Sequence, residues 1–119
     1  MKGFGDLYTS KKKRKKKTSF SKQQIIDQAL QLHSKGNISE ATKYYQKIIS
    51  QGCNNPIIFT NYGTILRDIN KLNEAEIYHR KAIELQPDYA NAHFNLGNVL
   101  KDLIKLQDAE FSYRKAIEL

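Results

Sequence analysis

The sequence predicts an all-α protein made of three stacked helix-turn-helix repeats. The first observation is internal similarity: residues 71–85 align without a gap to residues 105–119, at an offset of 34, and are identical at 10 of 15 positions. The second is that apolar residues recur every three or four positions in six segments, as in helices with one buried face. A repeat of this length is typical of stacked helix-turn-helix units. We predict repeats at residues 22–55, 56–89 and 90–119, forming one domain (21–119) after a basic segment (1–20).

The first repeat has clear start and stop signals. Ser21 and Gln24 have the spacing of a capping box, and Gly36 can adopt the positive φ that ends many helices. A second helix is expected after Asn37 or Ser39. The predicted inner faces hold Ile25, Ile26, Ala29, Leu32 and His33 in the first helix, and Ala41, Tyr44, Tyr45, Ile48 and Ile49 in the second.

The other two repeats follow the same plan with different turn residues. Gly52 closes the first repeat, and Asn55 caps the next helix with Pro56 at its first position, where the missing N–H is not needed. Asn70 tolerates a left-handed turn conformation, whereas a β-branched residue such as Ile104 disfavours it, so we expect the third turn to be strained or differently shaped. The inner faces are predicted to hold Phe59, Tyr62, Gly63, Leu66, Leu72, Ala75, Ile77 or Tyr78, His79, Ala82 and Ile83, then His93, Leu96, Gly97, Leu100, Leu106, Ala109, Tyr113, Ala116 and Ile117.

Small residues are predicted to let the two helices of a hairpin approach closely. We expect Gly63 to face Ala75 and Gly97 to face Ala109, which favours the short end of the usual range of about 8–10 Å between helix axes. Larger side chains such as Phe59 would then fill the space around that contact.

The net charge of +8 is concentrated at the N-terminus. Residues 1–19 carry eight basic residues against one acidic residue, whereas residues 20–119 carry twelve against eleven. The basic run consists of Lys11, Lys12, Lys13, Arg14, Lys15, Lys16 and Lys17, and so many adjacent like charges predict a disordered tail. Two interpretations stay open: the run binds the phosphates of nucleic acid or of an anionic membrane, or it is a solvated tail without a specific partner.

No recognisable catalytic, cofactor-binding or metal-binding motif occurs in the sequence. The single cysteine, Cys53, cannot form an intrachain disulfide and is compatible with a reducing compartment, and no apolar run reaches the ~20 residues of a membrane span. His79 and His93 stand where the companion repeat has Tyr113 and Phe59, so we interpret both as packing aromatics. We therefore predict a cytoplasmic protein that is not an enzyme and needs no cofactor or metal.

The repeats resemble the tetratricopeptide repeat (TPR) family. The matching residues are Phe59, Tyr62, Gly63, Leu66, Ala75, His79, Ala82 and Pro87 in the second repeat, and His93, Leu96, Gly97, Leu100, Ala109, Tyr113 and Ala116 in the third. The first repeat is looser and has Cys53 where the proline would be. The resemblance covers residues 22–119 and implies a short right-handed α-solenoid that serves as a scaffold for protein–protein interaction.

The resemblance also implies that the first helix of each repeat lines a concave groove for an extended peptide. The residues it assigns to the groove are Asp27, Leu30, Thr60, Asn61, Thr64, Arg67, Asp68, Asn91, Phe94, Asn95, Asn98, Lys101 and Asp102. Asn61 and Asn95 would form a ladder of amides able to hold a peptide backbone whatever its side chains. A similar asparagine ladder binds protein substrates in O-linked N-acetylglucosamine transferases. The alternative is that these asparagines are solvated residues without a binding role.

One partner class is disfavoured by the same resemblance. TPR modules that bind the acidic C-terminus of chaperones use a carboxylate clamp of lysine, asparagine and arginine. The corresponding places here hold Ile26, Leu30, Asn61, Asn91 and Asn95, and only Asn61 fits.

The C-terminal repeat is predicted to be uncapped. Because an open end of a stacked array exposes apolar residues, we expect Leu96, Leu100, Ala109, Ile117 and Leu119 to face water in part. Three explanations stay open: a fragment of a longer protein, a gene cut short, or end-to-end self-association. Similar arrays precede glycosyltransferase or sulfotransferase domains in bacterial proteins, so the resemblance also allows a substrate-recruiting part of such an enzyme.

Overall fold

Three helical hairpins stack in sequence order. The computed structural model describes residues 21–119, and these form six helices and no strand. Hairpin 1 consists of α1 (Lys22–Ser34) and α2 (Ile38–Ser50), hairpin 2 of α3 (Pro56–Asp68) and α4 (Leu72–Leu85), and hairpin 3 of α5 (Ala90–Asp102) and α6 (Leu106–Glu118). The two helices of each hairpin pack on one another. Between consecutive hairpins, α2 contacts α3 and α4 contacts α5. The predicted three-repeat α-solenoid is confirmed, and the basic segment lies outside the described residues.

The helix starts follow the capping signals in the sequence. Gln24 N donates to Ser21 Oγ at 3.1 Å and Ser21 N donates to Gln24 Oε1 at 2.9 Å, which completes the capping box. At the start of α3, Ile57 N donates to Asn55 Oδ1 at 2.9 Å and Pro56 is in the first turn. These side chains satisfy backbone N–H groups that have no partner within the helix.

The turn inside each hairpin has the same shape in all three repeats. Gly36, Asn70 and Ile104 have φ values of 83°, 63° and 63° at equivalent positions. In the third turn Ile104 N donates to the Lys101 carbonyl at 2.9 Å, as Asn70 N donates to the Arg67 carbonyl at 2.9 Å. The turn at Ile104 is therefore strained rather than differently shaped, because an isoleucine side chain disfavours positive φ.

The core runs continuously through the hairpins. Tyr45, Ile58 and Val99 are fully buried, and in α4 Tyr78 packs on the core while Ile77 is 53% exposed, which decides between the two predicted residues. The expectation that Leu96, Leu100 and Ala109 face water is wrong: they are at most 3% exposed, because α5 and α6 bury them against each other and against Ile83. Ile117 and Leu119 are exposed, as expected.

The helix glycines contact aromatic rings rather than alanines. A Cβ atom added to Gly63 would lie 2.7 Å from Cε1 of His79, and one added to Gly97 would lie 2.7 Å from Cε1 of Tyr113. The prediction that Ala75 and Ala109 are the nearest neighbours of these glycines is therefore wrong, because the rings of His79 and Tyr113 lie closest to them. Ala75 is nevertheless fully buried and belongs to the core cluster that contains Tyr62 and Leu66.

Candidate functional site

The first helices of hairpins 2 and 3 present one shared polar face. Arg67 Nε on α3 donates to Asp102 Oδ2 on α5 at 2.6 Å, so the C-terminal ends of these two helices meet on the same side of the solenoid. We call the predicted groove residues of α1, α3 and α5 the first-helix face. Its exposed members are Asp27, Asp68, Asn91, Phe94, Lys101 and Asp102, and its half-buried members are Leu30, Asn61, Thr64, Arg67, Asn95 and Asn98. Thr60 is 3% exposed and does not contribute to this surface.

Tyrosines of the second helices hold two of the amides on this face. Asn61 Nδ2 donates to the Tyr45 hydroxyl oxygen at 3.3 Å, and Tyr45 also bonds His33 Nδ1 at 2.8 Å. The Tyr113 hydroxyl donates to Asn98 Oδ1 at 2.5 Å. Burial raises the pKa of Tyr45, so its hydroxyl remains protonated at neutral pH. These bonds orient the amides, leaving Asn61 with one N–H and its carbonyl oxygen for a ligand.

The charges of the first-helix face are partly paired. The hydrogen bond from Arg67 lowers the pKa of Asp102, and the same bond raises the pKa of Arg67. The remaining charged members are Asp27, Asp68 and Lys101. With three carboxylates and two bases, the face offers no basic patch for a strongly acidic ligand.

An aromatic side chain interrupts the polar surface. Phe94 is 52% exposed, and its ring centroid lies 5.8 Å from that of Tyr113 at an interplanar angle of 56°. Such a tilted pair is a favourable arrangement for two rings. Phe94 therefore supplies an apolar contact next to the amides of Asn95 and Asn98.

The histidines have structural surroundings. His79 is fully buried against Gly63, and burial, with a smaller contribution from Arg67, lowers its pKa to about 4. His93 Nε2 lies 2.7 Å from the Pro87 carbonyl oxygen, which links α5 to the turn before it. Within residues 21–119, no three histidine, cysteine or acidic side chains converge on a common point where a metal could bind.

Two further sequence-based predictions concern other parts of the chain. The run from Lys11 to Lys17 lies outside the described residues. No helix in the described part of the chain has the length and apolar character needed to cross a membrane.

Comparison with known proteins identifies the repeats. A family model described as TPR repeat matches residues 63–103, and one described as tetratricopeptide repeat matches residues 90–119. No curated protein matches the sequence. The structure is similar to the second TPR of Spaghetti (RPAP3) bound to the HSP90 peptide SRMEEVD, with 27% identity and a TM-score of 0.75 over 82% of this chain and 88% of that chain.

Two more solved structures share the fold. The first TPR of Spaghetti (RPAP3), also bound to SRMEEVD, has 24% identity and a TM-score of 0.73 over 82% of this chain and 77% of that chain. The Arabidopsis OM64 TPR domain has 16% identity and a TM-score of 0.74 over 82% and 81%. The predicted TPR fold is confirmed, and the tyrosine–amide bonds are the part of the face that sequence reasoning missed.

Proposed function

We propose, from the tetratricopeptide repeats that the family models detect, that this chain is a non-catalytic scaffold that binds an extended peptide on its first-helix face. The observation that carries the proposal is the pair Asn61 and Asn95, which stand 34 residues apart on the face that the Arg67–Asp102 bond defines. Amides at a regular spacing can bond successive backbone groups of an extended chain. The similar TPR domain of Spaghetti is bound to a peptide, which supports a peptide ligand.

The peptide we propose is not an acidic C-terminus. The carboxylates of Asp27 and Asp68 would repel such a ligand, and Arg67 is already paired with Asp102 at 2.6 Å. A neutral or weakly basic segment with one apolar side chain beside Phe94 fits the charge and the exposed ring better. Backbone recognition by amides would make the scaffold tolerant of sequence elsewhere in the peptide.

Selection of short peptides from a displayed random library, followed by titration, tests this proposal. Asn95→Ala should weaken the binding of a selected peptide about tenfold, since removing one partner of a hydrogen bond formed in the complex costs on the order of 1–2 kcal/mol. Asn73→Ala, on the exposed start of α4, is the matched control and should have no effect. Asn61→Ala should also weaken peptide binding, and this variant additionally removes the hydrogen bond between Asn61 and Tyr45. Selected peptides that bind Asn95→Ala as tightly as the parent chain would refute the proposal, and SRMEEVD should bind more weakly than the selected peptides.

The basic run supplies a second candidate function. Residues 1–19 hold almost all of the net positive charge, which favours attachment to a polyanion, either nucleic acid or an anionic membrane. Deletion of residues 1–19 should abolish salt-sensitive binding to such partners while leaving peptide binding unchanged. If the deletion variant bound nucleic acid and vesicles as tightly as the parent chain, the basic run could not be the cause of that binding.

Two finer statements belong to the same proposal. The scaffold would act in the cytoplasm, which Cys53 as the single cysteine allows. In a longer parent protein it could recruit substrates for a glycosyltransferase or sulfotransferase domain, and the sequence that follows residue 119 in the genome tests that role.

A further inference from the structure

We propose that His33, acting through Tyr45, determines which atoms of Asn61 face the bound peptide, and that proton uptake by His33 weakens peptide binding. The three side chains belong to α1, α2 and α3 of the first two hairpins, and we call them the tyrosine relay. The proposal rests on the peptide-binding function proposed above and adds a control of that same face. His33 is a positioning residue, because it acts on the amide through Tyr45.

The Tyr45 hydroxyl connects a ring nitrogen to an amide. His33 Nδ1 lies 2.8 Å from the hydroxyl oxygen, and Asn61 Nδ2 donates to the same oxygen at 3.3 Å. A hydroxyl has a single hydrogen, and Tyr45 is fully buried, so this hydrogen needs an acceptor within the protein. Because Asn61 uses an N–H toward the oxygen, the acceptor is Nδ1 of a neutral His33 ring.

Proton uptake by His33 reverses these hydrogen bonds. A protonated imidazole carries an N–H at both nitrogens, so Nδ1 then donates to the Tyr45 oxygen. The Tyr45 hydrogen loses its acceptor, and a buried donor without a partner is unfavourable. Rotation of the Asn61 amide brings Oδ1 to the hydroxyl and restores the pairing. Asn61 then presents N–H groups to the peptide instead of an N–H and an oxygen, and a peptide N–H loses its acceptor.

The third hairpin contains the hydrogen-bond direction that we propose for the protonated relay. There the Tyr113 hydroxyl donates to Asn98 Oδ1 at 2.5 Å. The residue two repeats after His33 is Lys101, and a lysine side chain cannot accept a hydrogen bond. A tyrosine without a histidine acceptor thus donates to an amide oxygen, as Tyr45 would once His33 is protonated.

Asn95 supplies a control within the same face. One repeat after Tyr45 stands His79, which is fully buried and whose ring nitrogens form no hydrogen bond within residues 21–119. Burial lowers the pKa of His79 to about 4, so this ring stays neutral from about pH 5.5 to 8, a range in which histidine side chains commonly change charge. Asn95 should therefore present the same atoms to a peptide throughout that range.

The charged groups around His33 leave Tyr45 as its direct partner. None of the ion pairs among residues 21–119 involves His33. On α1 itself, Lys35 follows at the C-cap. Asp68 of α3 stands one repeat before Asp102, which is paired with the residue one repeat after His33. Asp68 is therefore the carboxylate that would compete with Tyr45 for a protonated His33, and the experiment includes it.

Nuclear magnetic resonance of the free full chain tests the relay without any peptide. At about pH 8, the imidazole nitrogen shifts should show His33 unprotonated at Nδ1 and protonated at Nε2. As the pH falls, the side-chain amide signals of Asn61 should shift with the same midpoint as the His33 ring, whereas those of Asn95 should not. Tyr45→Phe should uncouple Asn61 from His33. A neutral His33 protonated at Nδ1, or an Asn61 amide that does not follow the ring, would overturn the relay whether or not a peptide binds.

Titration of a selected peptide without histidine or acidic residues measures the effect on binding. The parent chain should bind it roughly five- to tenfold more weakly at about pH 5.5 than at about pH 8, the effect of one lost hydrogen bond. His33→Asn is the conservative variant, because its Oδ1 replaces Nδ1 as an acceptor that does not titrate. It should keep the parent's affinity at the higher pH and lose the pH dependence.

The controls separate this proposal from the peptide-binding function itself. Asn95→Ala should weaken binding at both pH values and leave their ratio unchanged. A pH dependence that persists in Tyr45→Phe would come from the charge of His33, and one that disappears in Asp68→Asn alone would come from an ion pair. Either result contradicts the relay, as does an equal pH dependence in His33→Asn and the parent chain. If Asn95→Ala has no effect at either pH, the peptide-binding proposal fails, whereas the free-chain spectra still decide the relay.

Discussion

Replacing Ile104 with glycine should stabilise the protein. Ile104 has φ 63°, a conformation that costs an ordinary L-residue roughly 1–2 kcal/mol. Glycine removes that cost but gives up about 0.5–1 kcal/mol through its greater freedom in the unfolded chain. The side chain is 79% exposed, so its loss removes little buried area. We expect a net gain of roughly 0.5–1 kcal/mol.

Urea unfolding followed by circular dichroism, together with calorimetry, measures this gain. For a domain of this size, a change of 1 kcal/mol in the free energy of unfolding shifts the Tm by about 4–8 °C. Ile104→Gly should therefore raise the Tm by roughly 2–8 °C. Ile104→Ala keeps a Cβ atom in the same backbone conformation and should change the Tm little. Asn70→Gly, at the equivalent turn, should gain less because asparagine already tolerates positive φ. A Tm for Ile104→Gly at or below that of Ile104→Ala would show that the turn is not strained.

Three further predictions concern the core. Gly63→Ala should lower the urea midpoint, because the new Cβ would lie 2.7 Å from His79 and the overpacking cost of ~1–3 kcal/mol exceeds the helix-propensity gain of about 1 kcal/mol. Gly97→Ala should lower the midpoint less, since the half-buried Tyr113 can move. Equal losses of stability in the two variants would contradict this explanation. Ala75→Phe should cost ~1–3 kcal/mol by overpacking, and an unchanged Tm would refute close packing there. Burial holds the pKa of His79 at about 4 instead of 6.5, so between these pH values the unfolded chain binds a proton that the folded chain does not. The free energy of unfolding should therefore be highest above about pH 6.5 and fall by roughly 3 kcal/mol as the pH drops from about 6.5 to 4. His79→Tyr should flatten that decline in urea midpoints, and a parallel decline in both proteins would exclude His79 as its cause.

The sequence alone was enough to locate the helices and turns. Spacing of apolar residues reports on one helix at a time, and caps such as Ser21 with Gln24 act within a few residues, so both can be predicted without knowing the tertiary structure. The internal repeat then related each hairpin to the next. The same local reasoning identified Ile104 as the residue in an unfavourable turn.

Partners across helices needed the tertiary structure. The sequence did not indicate that His79 would contact Gly63, or that Tyr45 would bond Asn61 of the next hairpin, because such contacts depend on how two helices are rotated and shifted against each other. The same holds for Leu96, which α6 and Ile83 shield although no helix follows within the described residues. Periodicity therefore determined which residues face inward, whereas the packing of the hairpins decided which side chains meet and which amides remain available to a ligand.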